Sequence, residues 1–319
     1  MIQKILDEIR KGQSFLITAH MRLDGDALGS ELALQDALLR MGREAVVYNQ
    51  DPAPSNYRFL PGVDRIVSVL EGIERFDAVF VLDCSELERV GDEAPRIGAM
   101  KRIINIDHHI SNNGFCDLQL IEPHASSTGE LVFRLLDGLG EPLSREAATN
   151  LYTAILTDTG GFRYGNTTRD ALVIAGQLVG GGADPQWISQ HVYENNPRAK
   201  IELLSRALRS LAFDLNGRVG SVAVLLQDLE ATGALQEHTE GLVDVPRSVE
   251  GTRVSMLLTQ IEENRFKVSL RSKDDVDIER VARAFGGGGH INAAACRIEG
   301  DVETVKRRVL DEIRAAGIL

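Results

Sequence analysis

Residues 14–19 read SFLITA, and residues 20–30 behind them read HMRLDGDALGS. The first stretch is a compact apolar strand. The second holds one histidine and two aspartates, then enters a helical pattern over residues 27–41 that Gly42 closes. A strand that feeds a helix through an acidic turn is the opening half of a βαβ unit. The unit recurs downstream. Residues 46–48, 78–82 (AVFVL) and 102–106 (RIINI) are continuous apolar runs, the type expected when both faces of a parallel sheet are covered. Ser126, Ser127 and Thr128 precede a helix predicted over 129–136, and another helix is predicted over 145–156. An α/β domain with a parallel sheet is therefore expected at the N-terminal end.

Further along, residues 171–211 read as mostly helical, with turns at Gly180-Gly181-Gly182, Pro185 and Pro197. Beyond them, residues 219–227, 252–261 and 265–271 alternate as strands, the last two joined as a hairpin through Glu262-Glu263-Asn264. A helix over 277–285, a glycine run, a short strand near 294–298 and a closing helix over 302–315 complete a smaller α+β unit. The expected organisation is a first domain over 1–190, a helical connector over 191–212 and a second domain over 213–319.

Length and charge bound the function. The 319 residues are about twice the ~150 that serve as a prior for one domain. With 43% hydrophobic and 26% charged residues, the composition is that of a folding globular chain. A net charge of -12 disfavours wrapping long duplex by phosphate neutralisation, so any nucleic acid handled is expected to be short. No apolar stretch approaches the ~18 residues of a membrane span, and MIQKILDEIRKGQ reads as an amphipathic helix, so no membrane partner and a cytoplasmic location are expected. Cys84, Cys116 and Cys296 form no CxxC pair and are expected to be buried thiols.

The chemistry-bearing residues fall at the predicted strand ends. His20, Asp24 and Asp26 follow the first strand, Asp83 follows AVFVL, and Asp107-His108-His109 follows RIINI. In an open parallel sheet these ends share the edge where ligands bind. Asp158, in Thr157-Asp158-Thr159-Gly160, ends a helix and can join the group. A lone Asp after a strand is usually a turn former or helix cap. Five carboxylates and three imidazoles at one edge would repel one another and lose hydration unless cations offset them, so a polynuclear metal site is the economical reading. Oxygen and imidazole donors without thiolate favour Mn²⁺, with Co²⁺, Fe²⁺, Zn²⁺ or Mg²⁺ also compatible.

These four groups, in this order, resemble the motifs of the DHH phosphoesterase superfamily. By that resemblance His20, Asp24 and Asp83 hold one divalent metal ion, and Asp26, Asp83, His108 and Asp158 hold a second, with Asp83 shared. Asp107 then orients the site and His109 faces the substrate phosphate. Leu23 stands where the family often has Pro, and Ala295 where it often has Gly. In the second domain, Arg271-Ser272 and Gly286-Gly287-Gly288-Gly289-His290 followed by Ala293-Ala294-Ala295 resemble the DHHA1 domain. Unhindered backbone N–H groups of the glycine run can form a nest for phosphate oxygens, with Arg271 as a fork and His290 as a further donor. Arg163, five residues beyond Asp158, is a further candidate for the substrate phosphate.

A chain of two such modules is similar to the bifunctional nanoRNase and pAp phosphatase family. That implies two-metal hydrolysis of short oligoribonucleotides to mononucleotides, and removal of the 3'-phosphate of 3'-phosphoadenosine 5'-phosphate. RecJ-type exonucleases resemble a longer chain, and family II pyrophosphatases carry a different second domain. Cyclic dinucleotide phosphodiesterases share the layout and are the main alternative; a non-catalytic nucleotide sensor is the alternative of another class. The expected partners are short RNA or small nucleotides, and the chain is compatible with a homodimer.

Overall fold

A computed structural model describes residues 1–319, the side chain of His290 excepted. It falls into two compact units, Met1–Asn195 and Asn196–Leu319. The first is built on five strands, β1 (Ser14–Thr18), β2 (Glu44–Val47), β3 (Ala78–Leu82), β4 (Ile103–Asp107) and β5 (Leu118–Ile121), in the spatial order β2-β1-β3-β4-β5. Every pairing is parallel. The apolar runs are continuous because each strand feeds two cores by alternation. Phe15, Ile17, Phe80, Leu82, Ile104 and Ile106 enter one; Leu16, Val79, Val81 and Ile103 enter the other. Burying one such side chain fully contributes roughly 1.5–3 kcal/mol.

The helices of this unit are α1 (Ile2–Lys11), α2 (Gly25–Arg40), α3 (Ala94–Gly98), α4 (Thr128–Leu139), α5 (Arg145–Asp158), α6 (Arg169–Gly180) and α7 (Pro185–Tyr193). The first core takes Ile5 and Ile9 of α1, Leu34 and Leu38 of α2, Leu131 and Leu135 of α4 and Leu151 and Ile155 of α5. Helices α2 and α5 lie so close that a Cβ on Gly29 would sit 2.4 Å from the Asn150 carbonyl oxygen. The strand order reverses between β1 and β3, which makes the carboxyl ends of those two strands the crevice of the sheet. Strand β5 is absent from the sequence reading. It is a four-residue edge strand with only Leu120 buried, so it carries little apolar signal.

The second unit carries a mixed sheet of β6 (Ala212–Asp214), β7 (Val219–Val224), β8 (Val254–Glu262), β9 (Arg265–Ser272), β10 (Gly288–His290) and β11 (Ala293–Glu299), ordered β10-β11-β9-β8-β7-β6. Strands β7 and β8 are parallel and the other pairs antiparallel. The β8–β9 hairpin turns where Asn264 takes a φ of 58°. Its helices are α8 (Arg198–Ala207), α9 (Leu226–Thr232), α10 (Asp244–Arg247), α11 (Glu279–Ala284) and α12 (Val302–Ala316). One core joins Met256, Leu258, Val268 and Leu270 to Val281 of α11 and Val305, Val309 and Ile313 of α12. A smaller core joins Leu203, Val222, Leu229 and Leu257.

Residues 191–212, read as a connector, are divided between the units: α7 ends at Tyr193 in the first, and α8 supplies Leu203 and Ala207 to a core of the second. The strand expected over 219–227 stops at Val224, and α9 starts at Leu226. Among the described residues no helix is long and apolar enough to cross a membrane.

Candidate metal centre

His20 leaves β1 into a buried position. Its Nδ1 lies 2.8 Å from the Met21 carbonyl, and its Nε2 lies 3.2 Å from Asp83 Oδ2 and 3.8 Å from Asp24 Oδ2. Asp24 is the N-cap of α2: Oδ1 accepts from the amides of Asp26 (3.1 Å) and Ala27 (3.0 Å), leaving Oδ2 for the site. A turn former and a ligand candidate are thus one residue with two oxygens divided between the tasks.

Asp26 is buried and held from across the domain. The amides at the N-terminus of α4 donate to it, Thr128 N to Oδ2 at 2.7 Å and Gly129 N to Oδ1 at 2.8 Å. A helix N-terminus favours such a carboxylate through its free N–H groups and its dipole. The serines before α4 split the work: Ser127 caps the helix through Glu130 N, and Ser126 is bound by the Glu130 carboxylate. Thr128 also donates its hydroxyl to Asp83 Oδ1 at 3.0 Å.

Asp83 follows β3 in a left-handed conformation, φ 53°. Its two oxygens face different neighbours. Oδ2 meets His20, while Oδ1 lies 3.6 Å from His108 Nε2 and 3.6 Å from His109 Nδ1. His108 Nε2 is also 3.7 Å from Asp26 Oδ2 and 3.7 Å from Asp158 Oδ2, which Asn166 holds at 3.0 Å. Asp107, at the end of β4, is fully buried. Its Oδ1 accepts from His108 N, His109 N and His109 Nδ1, the last at 2.5 Å.

Three His/Asp groups emerge whose donor atoms lie within 4.8 Å of one another: His20, Asp24 and Asp83; Asp26, His108 and Asp158; and Asp83, His108 and His109. The donor set is oxygen and imidazole nitrogen without thiolate, and it suits hard or borderline divalent cations. The protonation pattern reflects crowding. Burial, followed by the charges of Asp83, Asp158 and Asp24, holds Asp26 well above the usual carboxylate range. Asp158 is raised to about 7 by burial, with Asp83 and Asp24 adding to it against the opposing histidines. Burial opposes a charged His20, but the Asp83 hydrogen bond and the charges of Asp24 and Asp83 outweigh it and raise His20 to about 9. Burial likewise opposes ionised Asp83, yet its histidine neighbours bring it below the usual range.

In the second unit the candidate residues separate. Arg271, on β9, is half-buried, with one guanidinium nitrogen 3.0 Å from the Leu270 carbonyl. Ser272 turns away from Arg271 into the core. It is buried, donates to the Val276 carbonyl at 2.6 Å and accepts from Asn292 at 2.9 Å, so its hydroxyl braces the 273–276 loop. The glycine run is not a uniform nest. Gly286 N and Gly287 N donate at 2.9 Å to Arg283 O and Ala282 O, which closes α11. Gly288, Gly289 and His290 form the sheet's edge strand β10, where N–H groups outside the β11 ladder face outward. Gly289 is required: at φ 149° a Cβ would lie 2.3 Å from the Ala293 carbonyl oxygen. The side chain of His290 lies outside the described residues. Arg163 is exposed beside the Asp158 loop, its Nε donating to Gly160 O at 2.5 Å.

Comparison with known proteins gives the family. Residues 14–155 match the DHH family, N-terminal domain, and residues 221–316 match the DHHA1 domain. The bifunctional oligoribonuclease and PAP phosphatase NrnA of Thermus thermophilus is 35% identical over 93% of this chain and 88% of its own length. The chain belongs to the DHH/DHHA1 phosphoesterases. A crystal structure of an exopolyphosphatase-related protein from Bacteroides fragilis superposes with a TM-score of 0.94 at 27% identity, covering 98% of this chain and 95% of that one. The cyclic-di-AMP phosphodiesterase PdeA of Listeria monocytogenes is 25% identical over 93% of this chain, which spans 46% of PdeA. Within the DHH/DHHA1 phosphoesterases, which are hydrolases that depend on metal, the present chain therefore stands nearer the NrnA side.

One departure from the family pattern, Leu23, has local compensation. Leu23 is buried with Ala27, Leu28, Tyr57 and Leu60, so packing anchors the loop before Asp24 where a proline ring would stiffen it. Four residues absent from the sequence reading as site residues support the carboxylates: Thr128, Asn166 and Asn112 bind them directly, and Asn105 binds Asn112 and the backbone around Asp83. The signal for Thr128 was its place at a helix start facing a sheet edge; the three asparagines carry no spacing cue.

Proposed function

We propose that this DHH/DHHA1 chain hydrolyses short oligoribonucleotides to mononucleotides and removes the 3'-phosphate of 3'-phosphoadenosine 5'-phosphate, using two divalent cations, Mn²⁺ by the chemistry of the donors. The observation that carries the reading is the division of Asp83, with Oδ2 toward His20 and Oδ1 toward His108. A carboxylate so placed suits a shared ligand. His20, Asp24 and Asp83 would hold one ion, and Asp26, Asp83, His108 and Asp158 the other. Bound there, the ions supply Lewis acidity and an activated water for attack on phosphorus. Burial opposes a charged His109, but the Asp107 hydrogen bond and the charges of Asp83 and Asp107 favour it; as imidazolium it keeps Nδ1–H on Asp107 and would donate Nε2–H to a phosphoryl oxygen, where charge develops in the transition state. Arg163 is assigned to the same phosphate. Arg271, the outward-facing backbone of the Gly288–His290 edge strand, and His290 are assigned to the part of the nucleotide that does not react. We place the protein in the cytoplasm, acting on small nucleotides.

The nearer relationship to NrnA than to PdeA supports this substrate class. The test presents the Mn²⁺ protein with a diribonucleotide, 3'-phosphoadenosine 5'-phosphate, a cyclic dinucleotide and pyrophosphate in parallel. Turnover of the first two is expected. Faster turnover of the cyclic dinucleotide would establish the alternative phosphodiesterase, and tight binding without turnover a sensor. A ribonucleotide dimer is also expected to be cleaved far better than a forty-mer, whose phosphates meet a chain of net charge -12. Equal kcat/KM for both would defeat the short-substrate assignment.

A further inference from the structure

Asn105 interrupts an otherwise apolar strand, and β4 buries it completely between β3 and β5. A buried amide in such a run has to be hydrogen-bonded, and its partners show what it does. Its Nδ2 donates to Val81 O at 2.9 Å and to Cys84 O at 3.1 Å. Those carbonyls flank Asp83 and its left-handed turn, a conformation that Asp tolerates better than most residues but that still needs support from its surroundings. One side chain thus clamps both ends of the turn presenting the shared carboxylate.

The clamp continues. Asn105 Oδ1 accepts from Asn112 Nδ2 at 2.8 Å, and the same Asn112 amide lies 2.6 Å from Asp107 Oδ2 and 3.3 Å from Cys84 O. With Oδ2 bound by Asn112, Asp107 keeps Oδ1 for the backbone of His108 and His109 and for the His109 ring. Asn112 Oδ1 in turn accepts from Gly114 N at 2.9 Å, which fixes the amide's orientation. The path from the Asp83 turn to the His109 ring therefore runs through two side-chain amides and one carboxylate.

We propose that Asn105 and Asn112 are positioning residues that lock the Asp83 turn and the His109 ring into one unit, so that the shared metal carboxylate and the phosphate-facing imidazole are set together. The inference rests on the two-cation reading above. Asn112 governs the His109 side through Asp107, and Asn105 governs the Asp83 side.

The experiment compares wild type, Asn105→Ala, Asn112→Ala and the double variant by three readouts: the melting temperature in chelator, Mn²⁺ affinity and stoichiometry by calorimetry, and kcat and KM on a diribonucleotide. Removing such an outer partner typically costs 10–100-fold in metal affinity or activity, so each single variant is expected to lose about that much kcat with KM little changed, and Asn105→Ala, beside the shared carboxylate, to lose Mn²⁺ affinity as well. Because the residues act as a unit, the double variant should lose no more kcat than the worse single variant. Additive losses, unchanged kcat and Mn²⁺ affinity, or a fall in melting temperature with normal turnover well below it would each overturn the proposal. If Asn105→Ala does not fold, Asn112→Ala, at a half-buried loop position, carries the test by its kcat, KM and Mn²⁺ binding. A wild type that binds no Mn²⁺ would instead defeat the two-cation reading itself.

Discussion

The carboxyl edge of the first sheet and the β10 side of the second place their working groups in opposite ways. In the first unit Asp26, Asp83 and Asp107 are buried and each is held by two or more donors, which for Asp26 and Asp83 come from elements distant in sequence. In the second, the candidate contacts are a half-buried guanidinium and backbone amides of an edge strand. Over-determined buried carboxylates fail together when one is lost, because the remaining charges and dipoles were arranged around it. A half-buried fork and edge-strand backbone lose one contact at a time. The chemistry should therefore be all-or-none in the first unit and graded, substrate by substrate, in the second.

The sharpest way to break that contrast is Asp83→Ala. Removing the carboxylate between the two groups is expected to lower kcat by on the order of 10³-fold or more, since metal ions supply several kcal/mol of transition-state stabilisation. Metal content measured by elemental analysis should drop, while circular dichroism should show a folded protein. Retention of near wild-type turnover would remove Asp83 from the shared position.

Arg271→Ala probes the graded side. It is expected to cost about 10- to 100-fold in kcat/KM on a diribonucleotide, the loss of one charge-assisted contact of roughly 1.5–3 kcal/mol. Bound metal should be unchanged, because guanidinium coordinates no cation. Bis(p-nitrophenyl) phosphate, which carries no nucleotide, should be hydrolysed almost as by wild type. Equal losses on both substrates would erase the distinction between the two regions.

A third effect separates buried from exposed chemistry by pH. Asp158, raised to about 7, holds a proton in the metal-free protein near pH 6 that a cation must displace, and the shift of Asp26 runs in the same direction. A single group of pKa near 7 is about one-tenth ionised at pH 6 and nine-tenths at pH 8, so Mn²⁺ affinity should climb by about tenfold or more over that interval. Calorimetry in buffers of different ionisation heat should register the released protons. A flat affinity profile would mean that these carboxylates are already ionised or do not bind.

How far such features are legible in sequence follows from the range of the interactions that create them. The β1, β3 and β4 runs announce themselves because each residue alternates between two apolar cores, and the acidic residues at their ends are visible as a pattern before any contact is known. Strand β5, with a single buried residue, has no such signature. The support shell is less legible still. Thr128 reaches Asp26 across 102 positions and Asp83 across 45, so no local spacing marks it. Ser272 shows the converse: beside Arg271 it looks like a second substrate contact, but strand alternation turns it into the core as Arg271 turns outward.

The smallest expected effect concerns stability alone, and it tests whether buried charge in the first unit is tolerated only where hydrogen bonds saturate it. Glu31 lies on α2, fully buried, five positions beyond Asp26. Its Oε2 accepts from Asn49 at 2.8 Å, whereas Oε1 has no partner among the described residues. Burial raises its pKa from 4.5 to about 8; the Asn49 bond and His20 oppose the rise, and Asp83 and Asp24 add to it. The folded state thus keeps a proton that the unfolded chain releases near 4.5. Between these two values the unfolded state binds fewer protons, so stability falls as pH rises and levels off above about 8. Glu31→Gln removes this dependence while keeping the shape and an oxygen for Asn49. In chelator, the variant's advantage in melting temperature should be near zero around pH 4.5, grow steadily toward pH 8 and then hold, reaching on the order of ten degrees for a domain of this size. Other buried carboxylates change with pH in both proteins and cancel in the difference. A difference that does not vary with pH, or a variant less stable than wild type at pH 8, would show that Glu31 is ionised in the fold and that this unit tolerates a half-saturated buried charge.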